Sequence, residues 1–176
     1  MAFSTTFEGF VLKKYNLLEM TQSLTVFTRE RGKMHFIIKG AKKLTSRRSS
    51  HLQTGNLIKL DAASHANGAW YVRSTALQSG FSVLKESEDK VRVLYNILLV
   101  LDRLLPLEQE ESMVYEMFLR AVVHLNDMHA EHDSVLFAFV REICEALGYG
   151  RYPVVTYDDI HDVMSKVMDE QVRFLV

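Results

Sequence analysis

The residues with the most evident chemistry lie between positions 39 and 50. Lys39-Gly40-Ala41-Lys42-Lys43-Leu44-Thr45-Ser46-Arg47-Arg48-Ser49-Ser50 sets five cations within ten residues, spaced by glycine and small hydroxyl side chains. Almost nothing in it asks to be buried. It reads as an exposed loop whose Lys42, Lys43, Arg47 and Arg48 reach phosphates, with Lys39 and Lys33 on the preceding strand, while hydroxyls and backbone N–H groups add hydrogen bonds. A merely solvated charged loop is the plain alternative, and the basic half around this stretch weighs against it. Trp70 and Tyr71, with Phe36 and His35, offer ring faces on which unstacked bases can rest. Strand alternation turns Phe36 and one of Trp70 or Tyr71 inward, so part of this aromatic set belongs to the core.

Other constellations are weaker. His124, His129 and His132 lie near Asp127, Glu131 and Asp133. Their spacing is loose and no HExxH or cysteine partner fixes a geometry, so a solvated turn is expected there rather than a metal site. There is no GxSxG and no GxxxxGK[ST]. Cys144, the single cysteine, excludes an internal disulfide and a Cys-rich zinc site. On a helix face it reads as a buried, inert thiol. The expectation is a protein that is not an enzyme and has no cofactor or metal.

With 176 residues, 21 Lys+Arg against 22 Asp+Glu and 48% hydrophobic residues, the chain reads as a soluble globular protein of one or two small domains. Its longest apolar runs, such as Ile97 to Leu101, fall far short of the ~20 residues that cross a bilayer. MAFSTTFEGF has neither the basic start nor the apolar core of a secretory signal, so the cytoplasm is the expected compartment. The near-neutral total hides an asymmetry. Residues 1–80 carry 12 Lys+Arg and 4 Asp+Glu, net +8, whereas residues 81–176 carry 9 and 18, net −9. The first half attracts polyanions and the second repels them.

The elements that must position these residues change character at the same place. Before residue 81 the chain gives five β-rich runs: Phe7 to Lys13, Leu24 to Arg29, Lys33 to Lys39, Asn56 to Ala63 and Trp70 to Gln78. In the third, Met34, Phe36 and Ile38 face one way and Lys33, His35, Ile37 and Lys39 the other. Arg31-Gly32 makes a tight turn, and Asn67-Gly68 signals a type I′ hairpin. From about residue 82 the period becomes 3.6, with helices capped at Ser87 and ended by Pro106, then from Glu108 to Asn126, from Ser134 to Leu147 with Gly148 in the C′ position, and from Asp158-Asp159 onward. The prediction is an α+β chain: a basic five-stranded unit over residues 1–80, most economically an OB-type β-barrel, then an acidic helical bundle over 81–176. An SH3-like barrel or a small open sheet fits the same pattern.

The order of residues then carries a resemblance. Thr28-x-Glu30-x-Gly32, Lys39-Gly40-Ala41-Lys42-Lys43, Ser46-Arg47 and Leu52-Gln53 resemble the N-terminal domain of RecO, a bacterial family of DNA-repair and recombination mediators. Glu8-Gly9-Phe10-Val11-Leu12 and Phe139-x4-Cys144-x2-Leu147-Gly148-Tyr149 are similar to that family's first strand and late helix. The resemblance implies an OB-fold followed by a helical domain, no catalysis, and binding and annealing of single- and double-stranded DNA. It also implies work with RecR, with single-stranded DNA-binding protein (SSB) and, indirectly, with RecA. Two departures stand out: Gly150 to Tyr157 lacks the cysteines of a zinc motif that many members carry, and the chain is shorter than typical members.

SSB tails are acidic and end in apolar residues, so a receptor needs an apolar groove beside a cation. Arg120 and Arg141, mid-helix near Met117, Phe118, Phe139 and Val140, are the candidates, with surface ion pairs such as Arg141 to Glu145 as their ordinary role. A rival from another class is a non-enzymatic adaptor whose basic barrel takes an acidic protein or peptide.

Overall fold

A computed structural model of the chain describes residues 4–18, 21–39, 50–129 and 131–173. Five strands come first: β1 (Ser4–Leu18), β2 (Thr21–Thr28), β3 (Gly32–Lys39), β4 (Leu57–Ser64) and β5 (Trp70–Ser79). Their order, β1-β2-β3-β5-β4, closes into a barrel because β4 also pairs with β1. Four of the pairings are antiparallel. The fifth, β3 with β5, is parallel and short, Phe36 opposing Trp70 and Ile37 opposing Tyr71. A closed five-stranded sheet in this order is the OB-type arrangement expected from the five runs.

Alternation fills the interior. Phe7, Leu24, Val26, Met34, Phe36, Ile58, Leu60 and Trp70 meet in one apolar core. Phe7 stands edge-on to Phe36 and to Trp70, with centroids 5.4 and 5.2 Å apart. Each such side chain, fully buried, contributes about 1.5–3 kcal/mol. Asn56 ties the start of β4 to the chain before it, its side-chain N–H groups donating to the carbonyls of Ser50 (2.8 Å) and His51 (3.0 Å).

Several expectations are corrected. β1 runs five residues past the predicted Lys13, because its second half pairs with β2 alone and needs no apolar alternation. The β4–β5 loop is not type I′: only Gly68 has positive φ (78°), and its N–H donates to the His65 carbonyl at 2.9 Å. That is a type I turn closed by a glycine in the left-handed region. Lys33, expected on the wet side of β3, is 8% exposed. It opposes Phe27, which opposes Phe10, and both are fully buried, so the outer sheet face at this end is covered.

A distant segment helps to cover it. Compactness divides the chain into Met1–Gly80 with Leu105–Ser112, and Phe81–Leu104 with Met113–Val176. The expected single cut between residues 80 and 81 therefore misses a return of the chain to the first unit. There Leu107 bridges Lys33 in parallel, and the Glu108 N–H donates to the Lys33 carbonyl at 2.8 Å. Glu108 adopts a left-handed φ of 55°, so the helix predicted from Glu108 begins only at Ser112.

The second unit holds α1 (Ser82–Lys85), which the periodicity did not suggest, α2 (Glu88–Leu104), α3 (Ser112–Leu125), α4 (His132–Ala146) and α5 (Tyr157–Arg173). Val93, Leu94, Ile97, Leu98 and Leu101 bury the inner faces of α2. Phe118 of α3 meets Phe139 of α4 edge-on at 6.1 Å. α4 ends as predicted, the Gly148 N–H donating to the Glu145 carbonyl and the Tyr149 N–H to that of Cys144. Among the described residues no helix is long and apolar enough to cross a membrane.

Candidate nucleic-acid interface

Register decides which side chains share the barrel's outer surface, since directly opposed residues project to the same face. Tyr15 opposes Ser23, Ser23 opposes Ile37, and Ile37 opposes Tyr71, giving one row across β1, β2, β3 and β5. The next row inward in register, Leu24, Phe36 and Trp70, points into the core, so the first row points out. On one side of it lies the row Lys13, Thr25 and His35, with Thr25 Oγ1 and His35 Nδ1 3.0 Å apart. On the other lies Lys39, opposing Thr21.

The lysines rest on the tyrosines. Lys39 Nζ lies over the Tyr71 ring, 4.5 Å from its centroid, and Lys13 Nζ over the Tyr15 ring at 5.3 Å. An ammonium over a ring face is drawn by the ring's quadrupole, by about 0.5–1 kcal/mol at exposed sites. His65, in the β4–β5 loop, stands edge-on to Tyr71 at 4.5 Å and braces it. Tyr15 is 52% exposed.

Cations at the other end of the barrel have partners of their own. Arg29 lies 3.8 Å from Glu8 Oε1, and Arg31 sits 5.7 Å from the centroid of the buried Trp70 ring. Glu30 accepts the Glu8 N–H at 3.0 and 3.2 Å. Away from both, Asp61 accepts hydroxyl hydrogen bonds from Ser74 (2.5 Å) and Thr6 (2.6 Å), which hold its carboxyl below the ordinary value.

Of the sequence-predicted set, Lys39 and Tyr71 come together on this surface. Lys33 does not join them, being buried in the covered row. Trp70, at 8% exposure and packed on Phe7, is core and no stacking platform, as alternation allowed for one of the two. Lys42, Lys43, Arg47 and Arg48 lie outside the described residues. Lys13, Tyr15 and His65 were missed. The Lys13-x-Tyr15 spacing, which puts both on one face of a strand, was the available signal.

In the helical unit, Arg120 lines an open groove between α3 and α4, with Met117, Ala121, Val135, Ala138 and Phe139 as its apolar walls and His124 and Glu142 at its rim. Arg141 takes no part in it; its guanidinium donates to the Val154 carbonyl at 2.5 Å. Cys144 is fully buried, and burial pushes its thiol up to about 11. Asp127 uses its carboxylate to accept the His129 N–H at 2.9 Å, which holds its carboxyl low. The buried Lys90 donates to the Asp127 carbonyl. Among the described residues no three His, Cys, Asp or Glu side chains gather as a metal ion would need.

Comparison with known proteins agrees with the barrel. The family described as recombination protein O N terminal matches residues 1–76. The chain is also similar to the DNA repair protein RecO of Prosthecochloris aestuarii (strain DSM 271 / SK 413), at 23% identity over 143 residues that cover 80% of this chain and 54% of that protein. The chain thus spans about half the length of that curated relative. The matched residues are the ones that build the lysine-capped tyrosine face, so it is in this barrel that the chain is similar to the N-terminal part of the RecO family.

Proposed function

We propose that this protein is a non-catalytic DNA-binding mediator of recombinational repair. Its basic barrel holds and anneals DNA strands, and its helical unit engages SSB so that RecA is loaded onto SSB-coated single strands, in concert with RecR. The observation that carries the reading is the outer barrel face, where Lys13 lies over the exposed Tyr15 and Lys39 over the half-buried Tyr71, and the chain runs on from Lys39 into four further cations. The similarity of residues 1–76 to the recombination protein O family, and of the chain to a DNA repair protein RecO, supports a place in DNA repair and recombination. Rings beside cations suit nucleotides, which offer a base and a phosphate, better than the carboxylates of the acidic peptide an adaptor would take.

Such binding is electrostatic and indifferent to sequence. With about five phosphates neutralised, log K against log[salt] falls with a slope near −3.5 for single strands and −4.5 for duplex. Titrating labelled oligonucleotides into the full chain across a salt series measures both. An affinity that does not change with salt contradicts the reading.

The α3–α4 groove supports the SSB contact, because apolar walls beside one arginine match an acidic tail with an apolar end. Arg120→Ala is expected to weaken binding of an SSB-tail peptide roughly tenfold or more, since a charge-assisted hydrogen bond is worth about 1.5–3 kcal/mol. Arg141→Ala, whose partner is Val154, leaves peptide binding unchanged. The reverse pattern would remove the groove from the account.

A further inference from the structure

Tyr15 and Tyr71 stand at the two ends of one outward row, with the smaller Ser23 and Ile37 between them. Along the curved sheet three strand spacings separate them, about 14 Å of surface at ~4.8 Å per strand. That is some four times the ~3.4 Å rise between neighbouring bases in a helix. A strand that reaches both rings therefore brings them two bases that are not stacked on each other.

Each ring is covered on one face by an ammonium, 5.3 Å away at Tyr15 and 4.5 Å at Tyr71. That contact is weak and reversible at a solvent-accessible site such as Tyr15, which is exposed, or Tyr71, which is half-buried. A base that takes the ring face replaces the cation–π contact with a stack, and the adjoining phosphate offers the displaced ammonium an ion pair. Duplex DNA offers only the second of these, because its base faces are hidden in the stack. Its phosphates still meet Lys13 and Lys39.

We propose that Tyr15 and Tyr71 are base-stacking platforms that make this barrel face select single-stranded over duplex DNA, taking two unstacked bases at the ends of the row. The inference rests on the reading that this face binds DNA, and adds which form of DNA it prefers and why. The two lysines supply affinity to either form; the two rings supply the discrimination.

The test uses the full chain with a thymidine homopolymer, an abasic strand of the same length and a hairpin duplex, titrated across a salt series. Tyr15→Leu and Tyr71→Leu each lower affinity for the homopolymer by about 5- to 150-fold, which is ~1–3 kcal/mol per stacked base. The salt slope stays as in the wild type, because no phosphate contact is removed. Duplex and abasic-strand affinities do not change. Tyr15→Phe and Tyr71→Phe, which keep a ring, bind the homopolymer as the wild type does. Equal losses on single strand and duplex, or no loss on either, overturn the proposal while DNA binding itself stands. A wild type that binds none of the three DNAs defeats the underlying reading instead.

Discussion

Single side chains show most directly how much of the site could be read in advance. Lys39 and Tyr71 were legible because a lysine at a strand end and one of two adjacent aromatics must face water. Which of Trp70 and Tyr71 turned out depended on the parallel register with Phe36 and Ile37, which no local pattern encodes. Lys33 has the same alternation phase as His35 and Lys39, yet its row is covered because its neighbours across the sheet are Phe27 and Phe10. The caps at Ser87 and Gly148 are local and so were visible, whereas the Thr156 and Asp159 pair that starts the last helix was not singled out. The Asp159 carboxylate accepts the N–H groups of Val155 (3.0 Å) and Thr156 (2.9 Å), while the Thr156 hydroxyl accepts the Asp159 N–H at 3.2 Å. These bonds hold the Asp159 carboxyl below its ordinary value of 3.8. A depressed carboxyl stabilises the folded state fully above that value, and the contribution is lost as pH falls through the folded pKa. Thr156→Ala is expected to cost about 1 kcal/mol, a fall of ~2–4 °C in Tm for a chain of this size. Asp159→Asn lowers Tm at neutral pH and removes the difference from wild type in acid, as thermal melts across pH will report. A constant difference at every pH would contradict the capping role.

At the scale of elements, the β-runs and helices were legible in kind, because periods of 2 and 3.6 are local properties of the chain. What stayed hidden depends on distant contacts. The second half of β1, Lys14–Leu18, has no apolar alternation and is held by its hydrogen bonds to β2, so Tyr15 escaped notice. The start of α3 was misplaced because Glu108–Glu111 suits a helix by composition, while its backbone is engaged with Lys33. That engagement explains Gly32. Its φ is 68°, and a Cβ there would stand 1.7 Å from the Gln109 carbonyl oxygen. Gly32→Ala is therefore expected to destabilise the first unit by about 1–3 kcal/mol, the usual cost of a non-glycine residue held in a strained conformation. It should also speed exchange of the Glu108 amide hydrogen, read by hydrogen–deuterium exchange. If that amide keeps its protection, the segment does not depend on Gly32 for its seat.

For the molecule as a whole, the +8 and −9 halves were the most informative property of the sequence, and they remain the frame for its function. Charge alone does not say where on the basic unit a polyanion sits. On the proposed reading it sits at the end bearing Lys13 and Lys39, where tyrosine rings lie beside the cations. The most direct measurement compares two neutralised pairs of equal charge in the full chain: Lys13→Gln with Lys39→Gln on the barrel face, and Arg103→Gln with Lys166→Gln on the helices. Both lower the net charge by two, so only location differs. The barrel pair should flatten the single-strand salt slope by about 1.4, two contacts at ~0.7 each, and the helical pair should leave it unchanged. Equal changes for the two pairs, or a loss confined to the helical pair, would contradict a DNA-binding face on the barrel.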